Sequence, residues 1–203
     1  MAVADTSIDS RILKSAQAEF AAKTFKGASL RSICSEAGVT TGAFYKRYRN
    51  KEELFDAVVA PTLAVVDEYC NSVESVNYDH LDRDNMRHIW ELTPETQARI
   101  VHMFYDHYEG FRLLLIASEG TKHVNFIHDF VEDVTKRSYK FIKEAHKRGI
   151  APKVIDQEEL HMLLTAYWAT LFEPLVHGLS RKRALRHSEV VGELFDWTKV
   201  LGF

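Results

Sequence analysis

The sequence predicts an all-α protein of about nine helices, and three observations carry that prediction. Apolar residues recur at three- and four-residue spacing through almost the whole 203-residue chain instead of alternating. Only four prolines and nine glycines interrupt them. The polar residues ahead of the periodic stretches are good helix caps, each placed where a helix would begin.

Taken in order, Ile12, Ala16 and Phe20 mark one face of a first helix. Ser29 then caps a second, whose apolar face is Leu30, Ile33, Cys34 and Ala37, and Gly38 supplies the positive φ of a sharp turn. Val39 plugs the core beneath that turn, and Thr40 caps a short third helix with Phe44 pointing inward and Tyr48 one turn on. Asn50-Lys-Glu-Glu53 is a capping signal for a fourth helix near 51, Thr93-Pro94-Glu95 starts another near 94, and Asp156-Gln-Glu-Glu159 a third near 157. Gly149-Ile150 and Gly178-Leu179 suit left-handed helix ends. Ser75 to Arg87, rich in Asn, Asp and His, reads as a surface loop or short helix.

Composition excludes several classes. Apolar residues at 46% and charged residues at 27% are those of a folded globular protein. No basic start with an apolar run and cleavage site opens the chain, and no apolar run approaches bilayer length, so the expectation is a cytoplasmic protein with no membrane partner. Cys34 and Cys70 each lie alone in an apolar helical pattern, which offers no disulfide framework and reads as two small core residues.

Charge is distributed unevenly. Residues 1–60 hold nine Lys and Arg against seven Asp and Glu, whereas the whole chain carries a net −3. Within 23–51, seven bases face the single acid Glu36, which is the electrostatic footprint expected for a polyanion.

The stretch VTTGAFYKRYRNKEEL, Val39 to Leu54, gives that footprint a geometry. A helix, a tight glycine turn and a second short helix form a helix-turn-helix, whose second helix enters the DNA major groove by its N-terminal residues. Those residues must be small enough to approach base edges and polar enough to bond them, as Thr40, Thr41, Gly42 and Ala43 are. Tyr45, Lys46 and Arg47 behind them, and Lys51 at the next helix start, can reach phosphate oxygens. With Ser29 and Arg31 these make the candidate DNA contacts.

The run from Phe20 to Leu54, with its Ala-Gly-Val turn, Gly-x-Phe-Tyr core and Lys-Glu-x-Leu helix start, resembles the DNA-binding domain of the tetracycline-repressor (TetR) family of transcriptional regulators. The resemblance covers about a quarter of the chain. Three positions depart from the pattern: Cys34 for the usual Ala, Arg47 where His is frequent, and Thr24 where a Gly commonly ends the first helix. A β-branched residue resists a left-handed conformation, so the first helix is expected to run on toward Gly27.

The resemblance implies a DNA-binding domain over 1–50 and a ligand-binding and dimerisation domain over 51–203. It further implies a homodimeric repressor that reads a pseudo-palindromic double-stranded operator and answers to a small-molecule effector. Aromatic residues between 94 and 149, with Trp90 and Trp168, are candidates for the effector cavity: Trp90, Met103, Phe104, His107, Phe111, Phe130 and Trp168. Two apolar stripes, Leu160, Leu164, Tyr167, Leu171 and Leu175, then Val190, Leu194, Trp197 and Leu201, are candidates for a dimer interface in which the last two long helices form a four-helix bundle with their symmetry mates.

Other chemistry finds no pattern. His102, His107, His123 and His128 lack metal-ligand spacing, and there is neither GxSxG nor a glycine-rich phosphate loop, so no metal, cofactor or catalytic role is expected. The alternative reading is a regulatory adaptor of the same fold acting through protein contacts without binding DNA. Pro61, inside the fourth helix, marks a candidate bend between DNA reader and sensor.

Overall fold

The computed structural model describes residues 6–74 and 81–202, all helix and connecting turns, with no strand among them. The helices are α1 (Thr6–Gly27), α2 (Leu30–Glu36), α3 (Thr41–Tyr45), α4 (Lys51–Glu74), α5 (Arg83–Trp90), α6 (Pro94–Asp106), α7 (Tyr108–Arg112), α8 (Phe126–Lys147), α9 (Gln157–Val176), α10 (Arg181–Leu194) and α11 (Trp197–Leu201). A π-helical turn, Leu113–Ala117, follows α7 directly. The count exceeds nine because α7 and α11 are single short turns that periodicity does not resolve.

The capping signals start helices where the sequence puts them. Asn50 Oδ1 accepts from Glu53 N at 2.8 Å, Thr93 Oγ1 from Thr96 N at 3.2 Å and Asp156 Oδ1 from Glu159 N at 2.8 Å. Gly149 and Gly178 take φ of 73° and 63°, and the next residues donate back to Ala145 and Pro174. Of Ser75 to Arg87, the last part is α5, and 75–80 lie outside the described residues.

Thr24 behaves otherwise than its side chain favours. The helix does not run on unbroken toward Gly27: it kinks at Thr24, which sits at φ 60°, ψ 171°, a region that glycine occupies and a branched side chain resists, and a further helical turn follows to Gly27. Helix α4 continues through Pro61, which is exposed.

Packing divides the chain into two compact units, and the division differs from a cut after Asn50. One contains Met1–Ala64 with His107–Phe126, and the other Val65–Asp106 with Ile127–Phe203. The start of α4 joins the first unit because Leu54, Phe55 and Val59 are fully buried there. Phe55 packs edge-on to Phe20 and Phe25 at 5.1 and 5.6 Å between ring centres. The core of the second unit is a run of rings, Phe104, Phe130, Trp168 and Phe172, with neighbouring centres 4.8 to 6.4 Å apart.

Candidate DNA-reading surface and ligand cavity

Helix α3 owes its position to α2, and α2 to α1. Ile33, Cys34, Ala37 and Phe44 are buried, which fixes both short helices on the Ile12, Ala16 and Phe20 face. Polar groups then lock the register: Ser15 Oγ donates to Ile33 O at 2.9 Å. Glu19 accepts from Lys23 Nζ at 2.9 Å, Ser29 N at 3.1 Å and Ser32 Oγ at 3.1 Å. The Lys23 bond first, then the Ser29 amide and the Ser32 hydroxyl, holds the Glu19 carboxyl below its ordinary value. This brace is invisible to local spacing, since Glu19 meets a cap ten residues away.

The turn geometry is as the sequence requires. Gly38 has φ 64°, and Thr40 caps α3 by accepting from Ala43 N at 3.1 Å. Thr41 and Gly42 are left exposed at the start of α3, with Ala43 half-buried beside them. Tyr45 is 59% exposed, large for an aromatic with no partner helix over it, and Lys46 and Arg31 are also exposed. Neither base has an ion pair among the described residues.

Two predicted contacts are otherwise engaged. Arg47 turns back into an ion pair with Asp9 and donates to Ala43 O at 3.2 Å, tying α3 to α1. Lys51 donates to Ala28 O at 3.0 Å and Lys26 O at 3.4 Å, and its ammonium lies 4.6 Å from the Phe25 ring centre. It caps the carbonyl end of α1 and is better described as a brace than as a phosphate clamp. Both misplacements have one cause: the partners are more than twenty residues away in sequence.

A second set of polar links fastens residues 119–123 to this unit. Lys26 pairs with Glu119, Lys122 Nζ and His123 Nε2 meet the two Asp56 oxygens at 2.7 and 2.8 Å, and Lys122 N donates to Glu52 at 3.3 Å. Burial would raise the Asp56 pKa, but the bonds from Lys122 and His123 outweigh it and lower it. Beside them Gly110 approaches α4 so closely that a Cβ there would lie 1.8 Å from Thr62 Oγ1.

The second unit encloses a half-open cavity of about 490 Å³, within the usual range for small-molecule sites. Its walls bring together Trp90, Trp168 and Trp197 with Tyr69 and Tyr167. Of the seven residues the sequence nominates, Trp90, Met103 and Trp168 line it. Phe104 and Phe130 are core rings packed behind Trp168. His107 and Phe111 belong to the other compact unit, because the chain passes from one to the other after Asp106. Tyr69, Tyr167 and Trp197, which line it too, lie outside the nominated set; one comes from α4 and two from the chain's last third, where only the fold shows their convergence.

The apolar stripes need correction as well. Leu160, Leu164, Tyr167, Leu171, Leu175, Trp197 and Leu201 are all buried within their own chain and leave no surface for a partner. Val190 at 57% and Leu194 at 73% remain exposed, and Met162 of α9 joins them at 64%. Periodicity identifies a covered face but not which body covers it.

Cys34 and Cys70 are buried, as expected of core residues. Burial raises both thiols, that of Cys70 to about 12 with Asp133 adding to the effect. Among the described residues no cluster of His, Cys, Asp and Glu could hold a metal ion, and no helix is long and apolar enough to cross a membrane.

Comparison with known proteins agrees with this geometry. Residues 12–58 match the bacterial regulatory proteins of the tetR family. No curated protein matches the chain. Among solved structures, a TetR-like transcriptional regulator from Rhodococcus sp. RHA1 superposes with a TM-score of 0.62 at 13% identity, covering 100% of both chains. A transcriptional regulator from Aquifex aeolicus VF5 gives 0.60 at 19%, over 93% of this chain and 99% of that one. The Bacillus subtilis regulator FadR, solved in complex with stearoyl-CoA, gives 0.58 at 12%, over 92% and 96%. At such identities the likeness is one of fold.

Proposed function

We propose that this chain is a ligand-responsive, homodimeric repressor of a pseudo-palindromic operator, a reading supported by the tetR-family match over residues 12–58 and by the fold shared with solved regulators of transcription. The observation that carries this is α3, braced on every side yet exposing Thr41, Gly42, Tyr45 and Lys46. Small and polar residues at its start face base edges, and Tyr45 and Lys46, with Arg31, hold the flanking phosphates. Ser29, Arg47 and Lys51 support the reading head from behind.

A second copy supplies the other half-site, about 34 to 36 Å away along the duplex. The exposed apolar residues Met162, Val190 and Leu194 favour α9 and α10 as the shared face. Helix α10 carries Lys182, Arg183 and Arg186 in its first half and Glu189 and Glu193 in its second. An antiparallel pairing of two such helices about a two-fold axis sets bases against acids at both ends. The cavity of the second unit holds the effector, whose binding changes the separation of the two reading heads.

Selection of bound duplexes from a random library by the purified protein tests the reading. A recovered palindrome supports a dimeric reader, a single half-site supports a monomer, and no enriched sequence overturns operator reading in favour of the adaptor.

A further inference from the structure

The cavity has a chemical bias beyond its size. Five of its lining residues are aromatic, contributed by α4, α5, α9 and α11, and the rings meet edge to face: Trp90 with Trp197 at 5.5 Å, Tyr69 with Trp168 at 5.3 Å, and Tyr167 with Trp168 at 5.3 Å. Walls of ring faces and edges favour a guest that is itself flat, because offset and edge-on ring contacts add to simple area burial.

Two residues of its wall carry a buried donor that lacks an acceptor. Trp90 Nε1 and Trp168 Nε1 are buried without a hydrogen-bond partner, as is Gln97 Nε2 behind Tyr167. Gln97 is fixed there by its other atom, since Tyr167 Oη donates to Gln97 Oε1 at 3.2 Å. Ser138, 4% exposed, lines the cavity with a hydroxyl that makes no hydrogen bond among the described residues. Burial holds the Tyr69 phenol well above its ordinary range, so it too stays protonated and able to donate. An unpaired buried donor is costly, and native proteins leave few of them. The only charged groups of the lining, Glu91 and Arg99, are exposed. Buried indole N–H groups without acceptors suit a carbonyl or other acceptor oxygen.

We infer that the effector class of this cavity is a flat, multi-ring molecule bearing a hydrogen-bond acceptor oxygen, seated between Trp90, Trp168 and Ser138. The inference rests on the sensor reading of the cavity given above. A simple aliphatic chain would forgo the ring contacts, and an aromatic ammonium would leave the indole N–H groups without an acceptor.

All three tryptophans of the chain line this cavity, so intrinsic indole fluorescence reports on it alone. Four probes separate the terms: 9-fluorenone, fluorene with the same rings and no oxygen, 9-aminofluorene as its ammonium, and hexadecanoate. Fluorenone is expected to quench with an affinity about tenfold above that of fluorene, and further above the other two. Ser138→Ala should cost fluorenone about fivefold and leave fluorene unchanged, which also shows the cavity intact, and Trp168→Phe should cost fluorenone more than it costs fluorene. Equal affinity for fluorene and fluorenone, tighter binding of hexadecanoate or the ammonium, or no quenching by any probe overturns the inference. The same preparation is assayed on the library-selected duplex. Selective duplex binding without fluorenone binding removes the inference and leaves the regulator standing, whereas fluorenone binding with no selected duplex does the reverse.

Discussion

The two compact units of this chain differ in which side-chain donors they leave buried without a partner. In the first, no described buried side-chain donor is left unpaired, and charged groups behind α3 are tied: Glu19 with Lys23, Ser29 and Ser32, Arg47 with Asp9, Lys51 with two carbonyls, Asp56 with Lys122 and His123. In the second, the indoles of Trp90 and Trp168, both residues of the cavity wall, and the amide of Gln97 are left without acceptors. Under the proposed function, tied groups suit the unit that would face a duplex, and unmet donors suit the unit that would take up an effector.

The largest effect that should sharpen this contrast is at Gly110. Gly110→Ala would drive a methyl against Thr62, with no slack to absorb it, and is expected to destabilise by about 2 to 3 kcal/mol in chemical denaturation. Thr24→Gly should act in the other direction, stabilising by about 1 kcal/mol, because it removes the cost of a branched residue at φ 60°. No stabilisation at Thr24 would mean that its strain is relieved by contacts of its own.

Acid should loosen the first unit. Glu19 and Asp56 have folded pKa values held below their ordinary 4.5 and 3.8, so their contributions are present above those values and fade as pH falls through the lowered ones. The urea midpoint is expected to drop as pH falls below about 4.5, and to drop less steeply in Glu19→Gln. The smallest effect belongs to the second unit: Trp90→Phe deletes a donor that already lacks a partner and should change stability by less than about 1 kcal/mol. A large loss there would show that the indole N–H is satisfied after all and would weaken the contrast.

The all-α fold and the helix-turn-helix were legible in sequence because their signals are local. A cap and its amide, or a glycine and the turn it permits, lie within a few residues of one another, as at Thr40, Gly38 and Asn50. What could not be read depends on distance along the chain. Arg47 looks like any other base of the cluster until Asp9 is brought beside it, and Lys51 until the end of α1 is. His107 and Phe111 follow Phe104 closely yet pack in the other unit, while Trp197 reaches the cavity from the far end of the sequence. The stripe from Leu160 to Leu175 was recognisable as a buried face, but its own chain covers it.

The central claim, that Lys46 reads phosphate while Arg47 only braces, is tested most directly by the salt dependence of binding to the selected duplex. Each phosphate contact contributes about 0.9 to the slope of log K against log salt, so Lys46→Ala should flatten that slope by about 2 in a dimer. Arg47→Ala should leave the slope unchanged and instead lower the thermal midpoint, as the loss of its tie to Asp9 requires. If Arg47→Ala flattened the slope while Lys46→Ala left it intact, the assignment of reader and brace on α3 would be contradicted.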